Sequence, residues 1–187
     1  MKEQKKQFLN KKKMKNLILS VVFIMVTSIT FSQSVFDKYE EKEDVTSVVV
    51  NKKMFELMSK VKVDASDKET LQYLKLIQNL DDLKVFSTTN AVAAKKMREV
   101  ADTYIKSAAL EELKKVNENG KQVTIDVKRA ANSQLKEFVM FIDDDANGIN
   151  RSVLMSLTGV FSLNDISILT DKMQIPGGTE LKKLTQR

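Results

Sequence analysis

Residues 117–128, Asn117-Glu118-Asn119-Gly120-Lys121-Gln122-Val123-Thr124-Ile125-Asp126-Val127-Lys128, decide the fold. Asn117 to Gly120 is a polar cluster of the kind that turns a hairpin. Beyond it Val123, Ile125 and Val127 alternate with Thr124, Asp126 and Lys128, the period of a half-buried strand. Residues 110–116 enter the turn from the other side. Downstream, 135–142 is apolar on both faces: Phe138, Met140 and Ile142 on one, Val139 and Phe141 on the other. Such a run belongs in the middle of a sheet. Residues 143–150 read as a turn and 152–158 as a further strand. The C-terminal half is therefore expected to be a meander of about four antiparallel strands.

Upstream the period is helical. Ala93, Met97, Val100, Ala101, Tyr104 and Ala108 form one apolar stripe, with Asn90 in the N-cap position. Ser66-Asp67-Lys68-Glu69 has the spacing of a capping box, and Leu71, Leu74, Ile77 and Leu80 follow it, which predicts a helix over 67–79. Asn51 precedes a helix over 52–60, whose apolar side is Met54, Phe55, Leu57 and Met58. Short strands are expected at 46–50 and 83–87. A short docking helix is expected within 33–44, with Val35, Phe36 and Tyr39 as its apolar side.

Ser162-Leu163-Asn164-Asp165 resembles a second capping box, and Phe161 and Ile166 stand where a hydrophobic staple would. That helix should run to Lys172 and stop at Ile175-Pro176-Gly177-Gly178. No repeat or linker divides the chain. The expected class is α+β: an antiparallel β-sheet with helices packed on one face, as a single domain over 33–178, followed by a mobile tail over 179–187.

A leader precedes this domain. Lys11-Lys12-Lys13-Met14-Lys15-Asn16 is a positive start, and residues 17–31 are dominated by Leu, Ile, Val, Phe and Met. Thr30-Phe31-Ser32 puts small residues where a signal peptidase reads. Residues 1–32 are thus expected to be a secretory signal peptide, with the mature chain starting at Gln33. Met14 serves as well as Met1 as a start. The apolar run is short of the ~20 residues that span a bilayer, so no stable transmembrane anchor is expected once the signal is cleaved. The expected location is the periplasm or the exterior.

The formal charge of +6 lies in that leader. Residues 1–32 hold seven lysines and one acid, which leaves 24 basic and 24 acidic residues in the rest of the chain. Phosphate binding needs a retained basic patch, so nucleic acid is not an expected partner. The chain has no cysteine, histidine or tryptophan. Stability must then come from the core alone, without disulfides, and a lipid anchor on cysteine is not expected.

The same absences narrow the chemistry. Ser-His and Cys-His catalysis is out of reach, and zinc lacks its preferred ligands. Ser133-Gln134-Leu135-Lys136 has Ser-Lys spacing but reads as an exposed turn. The carboxylate pairs Glu40-Glu41, Asp81-Asp82 and Glu111-Glu112 read as solvated faces. Met54, Met58, Met97, Met140 and Met155 read as core packing rather than a soft-metal site.

Asp143-Asp144-Asp145-Ala146-Asn147-Gly148 matches the first half of a calcium loop. The twelfth position is Leu154 instead of Glu, and strands flank it, so a polar turn is the expected reading. No enzyme, no catalytic residue, no metal ligand and no cofactor is expected.

Several features together point to a family: Phe36-Asp37-Lys38-Tyr39, the stretch Val45-Thr46-Ser47-Val48-Val49-Val50 leading into Met54-Phe55, and Leu157-Thr158-Gly159-Val160-Phe161-Ser162-Leu163-Asn164-Asp165-Ile166. The chain resembles the exported Bacteroidota family known as domain of unknown function 4252, over about 36–172. The resemblance implies a small envelope protein without an assigned activity, and hints at envelope signalling. Many relatives carry a lipoprotein cysteine, from which this sequence departs.

By elimination the expected role is a non-catalytic envelope module for protein interaction or envelope sensing, with an unknown protein partner. Its expected contact surface is the sheet face the helices leave open, toward which Thr124, Asp126 and Lys128 should point. The alternative is a carrier that holds a small apolar ligand or lipid between sheet and helices.

Overall fold

Strand alternation and the hairpin turns place six strands in one antiparallel sheet. The computed structural model describes residues 34–64, 66–130, 133–145, 148, 150–176, 178 and 181. The expected leader, Ala146 and Asn147 of the acidic turn, and all of the expected tail but Leu181 lie outside the described residues. From Phe36 onward the chain forms one compact unit.

The elements, in order, are α1 (Ser34–Asp37), β1 (Thr46–Asn51), α2 (Lys52–Met58), α3 (Lys68–Ile77), β2 (Leu80–Thr88), α4 (Ala91–Ser107), β3 (Glu111–Glu118), β4 (Lys121–Arg129), β5 (Leu135–Asp144), β6 (Arg151–Phe161) and α5 (Leu163–Lys172). The strands lie in the order β1-β2-β6-β5-β4-β3. The meander β3 to β6 is therefore as expected, and β2 extends it by pairing with β6. The sequence expectation for β2 covered only five of its nine residues, because Asp81 and Asp82 break the apolar run.

Register assigns each side chain to a face. Val85, Met155, Met140 and Ile125 form a row across the first face. Phe86, Leu154, Phe141 and Thr124 form the matching row across the second. The first face packs on Phe55 of α2, Leu74 and Ile77 of α3, and Ile166 and Leu169 of α5, in one buried cluster. Leu181 joins that cluster, so packed structure continues into the stretch expected as a tail.

The fold is α+β, as expected. The placement of the helices is corrected: they cover both faces. α4 lies on the second face and packs against β2, β5 and β6. Its Met97, Ala101 and Tyr104 are buried there. Phe36 meets Tyr104 edge-on with ring centroids 5.0 Å apart, and Tyr39 lies 5.7 Å from Phe86. The physical reason was already visible in β5: a strand apolar on both sides needs cover on both sides.

Local signals act at the helix starts. Asn51 Oδ1 accepts from the Met54 amide at 3.0 Å. Asn90 Oδ1 accepts from Val92 and Ala93 at 2.9 and 3.0 Å. The Ser162–Asp165 capping box is complete, with both reciprocal bonds present. At α3 the capping residue is Asp67, not Ser66. Asp67 Oδ1 takes the Thr70 amide at 3.0 Å, while the Ser66 hydroxyl donates to Asp64. Glu69, expected to close a box with Ser66, reaches Lys172 of α5 at 3.0 Å instead.

Candidate functional site

Where β5 ends, its alternation sends Asp143 toward the second face. Asp144 stands beside Lys121, 3.4 Å away. Asp143 enters a cleft of about 690 Å³. One wall is the first turn of α4, at Ala91 and Ala94. Another is the β3–β4 hairpin, at Asn117, Gly120 and Gln122. The third is the β5–β6 connection, at Asp145, Asn150 and Ser152. Small residues on α4 and a glycine in the hairpin leave the space open.

Arg98 organises this region from α4. Its guanidinium donates to the Thr124 hydroxyl and to Asp143 Oδ2, each at 2.9 Å, and reaches Gln122 Oε1 at 3.4 Å. It also lies over the Phe141 ring, 4.1 Å from its centroid. The other Asp143 oxygen accepts from the Ser152 hydroxyl at 2.7 Å. Asp143 is thus held from both sides. The amides at the start of α4 already bond Asn90.

Asp143 and Asp145 share the cleft, and Asp143 is committed to Arg98. Leu154, at the position a calcium loop would give to Glu, is fully buried on β6. Among the described residues, no group of three acidic, histidine or cysteine side chains is placed to hold a metal ion.

The surface expected at Thr124, Asp126 and Lys128 is closed at two of its three residues, and this too is a correction. Thr124 and Asp126 are buried on the face that α4 packs against, whereas Lys128 is exposed. Lys128 Nζ donates to the Ala108 carbonyl at 3.0 Å, where α4 ends. Burial pushes the Asp126 carboxyl above its ordinary range, Glu112 and Asp102 add to this, and Arg98 opposes it.

The acidic pairs divide between roles. Asp81 bonds Lys52 at 2.8 Å, whereas Asp82 is buried beside Lys84. Lys84 is itself buried, paired with Asp37 and with Glu40 (2.9 Å), and 3.8 Å from Asp82. Burial raises the Asp82 carboxyl despite that lysine. For Lys84, burial works downward, but the bonds to Asp37 and Glu40 and the Asp82 charge hold its ammonium above the usual range. Ser133 and Lys136 are both exposed. Met97, Met140 and Met155 are core residues, while Met54 is 43% exposed.

Sequence reasoning missed Arg98, Gln122 and Ser152. Arg98 had only a weak signal: it lies beside the apolar stripe of α4, about 100° round the helix from Met97, and is only partly buried. Gln122 and Ser152 had none, since only register brings them to Asp143.

Among the described residues no helix is long and apolar enough to cross a membrane. No curated protein and no solved structure matches the chain. A family model does match, over residues 39–169, which span the sheet and all the helices from α2 to α4 and most of α5. The chain belongs to the family described as a domain of unknown function, DUF4252.

Proposed function

We propose that the protein is an exported, non-catalytic module of the cell envelope that binds a protein partner, and that the cleft at Asp143 is its recognition surface. The observation that carries this reading is the Arg98–Asp143–Ser152 arrangement. It fixes a polar floor in a cleft rimmed by amides and a second carboxylate, which suits hydrogen-bonded recognition of a peptide surface. Export rests on the leader in the sequence.

The carrier alternative has less support. Phe138, Met140, Met155, Ile77 and Phe161, all 0–1% exposed, fill the space between the first face and its helices. A carrier needs that volume for its ligand.

The test is a photo-crosslinking residue at Asn117, in cells expressing the full chain, with a second at Glu56 as control. Capture of one defined protein from Asn117 and not Glu56, lost on Asp145→Lys, is the expected result. Capture of lipid alone would transfer support to the carrier reading. Turnover of a substrate by the purified protein would end the non-catalytic one.

A further inference from the structure

The two edges of the sheet differ in chemistry. β3, at one edge, carries Glu111, Glu112, Lys114, Lys115 and Glu118, and a register shift interrupts it between Glu112 and Lys114. Charges and irregularities of this kind keep an edge from pairing. β1, at the other edge, reads Thr-Ser-Val-Val-Val-Asn, without a charge, and pairs with β2 without a register shift. Its Val48 side chain is 42% exposed. An uncharged, β-branched, regular edge is a template for another strand.

The flanks of β1 say which strand fits. Glu43 and Asp44 precede it, and Lys52 and Lys53 follow it. All four are exposed, and the bond from Lys52 to Asp81 joins two groups that are each more than half exposed. Acid at one end and base at the other makes the segment complementary to itself when reversed.

We propose that β1 pairs antiparallel with β1 of a second copy, about a two-fold axis at Val48. A two-fold normal to the sheet keeps faces matched, so opposed residues differ by an even number of positions. With Val48 opposite Val48 of the second copy, Thr46 faces Val50, Ser47 faces Val49, and Asp44 and Glu43 come to the ends that carry Lys52 and Lys53. Two acid-base ends replace what would be two like-charge ends in a parallel arrangement. The pairing is isologous and closed, so it ends at a dimer. It joins two sheets into one and covers both copies of Val48. Met54 and Leu57 of α2, the helix that follows β1 directly, are 43% and 59% exposed. This surface is separate from the Asp143 cleft, which lies toward the β3 side of the sheet, so either proposal stands or falls without the other.

The absence of native cysteine makes the test direct. Opposed residues in an antiparallel pair have Cα atoms about 4.5–5.5 Å apart, within the roughly 4.4–6.8 Å that a disulfide bridges. Val48→Cys should therefore give a covalent dimer on mild oxidation. Thr46→Cys should not, because its own copies are offset by roughly 13 Å along the strands.

Protein expressed from the full chain should sediment as a concentration-dependent dimer. Asp44→Lys with Glu43→Lys should make it monomeric, with an unchanged circular dichroism spectrum. Mixing that variant with Lys52→Glu/Lys53→Glu should restore a mixed dimer. A monomer at every concentration, equal cross-linking at both cysteine positions, or Val48→Cys linking only to a foreign protein would each overturn the proposal.

Discussion

Arg98 shows how one side chain can tie an element to a sheet and shape a cleft at once. It bonds β4 through Thr124, β5 through Asp143, and covers Phe141. Arg98→Ala removes charge-assisted bonds and leaves Asp143 with only Ser152. The expected loss is about 1–3 kcal/mol of stability, measured by urea unfolding. Arg98→Lys should recover little, since an ammonium cannot fork between the two strands.

Asp126 acts in the opposite sense. Its folded-state pKa lies above its ordinary value of 3.8. The native state therefore binds a proton more readily than the unfolded state, and the destabilising contribution of Asp126 fades as pH falls from that raised value toward 3.8. Asp126→Asn should raise the melting temperature at pH 7, and the gain should shrink to nothing near pH 3. An equal gain at both values would show that charge is not the cause. At this scale the sequence told much: Asn51, Asn90 and Ser162 could be recognised as caps because a cap acts within three residues. Ser66 was misread for the same reason, since its neighbour Asp67 offers a better acceptor one residue closer to the helix.

Among the elements, the β2–β6 pair contains a close backbone approach at Gly159. Gly159 has a φ of +139°, and a Cβ there would collide with the Asn79 carbonyl oxygen. The register shift between Leu80 and Asp82 lies directly opposite. Gly159→Ala forces both the backbone and its neighbour, and is expected to cost about 1–3 kcal/mol of strain. Ser162→Ala, three residues on, should cost about 1 kcal/mol by removing the cap of α5. Thermal unfolding of the two variants separates these effects, and a Gly159→Ala protein as stable as the native one would refute the steric account. Element boundaries were read short in the sequence at β2 and β6, because polar residues inside long strands look like ends. That both sides needed cover was readable from β5, but which helix takes which side was not: the α4 stripe announces an apolar face, but says nothing about which side of the sheet receives it.

At the level of the molecule, one sheet is clothed on both sides, and the segment from Phe36 to Tyr39 closes the second side against α4. Lys84 and Asp82 are buried under that closure, and the more exposed Asp37 and Glu40 pair with Lys84 from its rim. A unit organised about one sheet should unfold in a single step, with far- and near-ultraviolet circular dichroism changing together. Two separated transitions would show that α4 and its face form an independent layer. The sequence alone determined the class, the meander, the centrality of β5 and most helix starts, because periodicity and capping depend on residues close in the chain. Only the tertiary structure decided that Thr124 and Asp126 lie beneath a helix, that Arg98 meets Asp143, and that β1 is an edge strand. Those facts depend on which distant strands pair and in what register, and register couples residues that no local pattern connects.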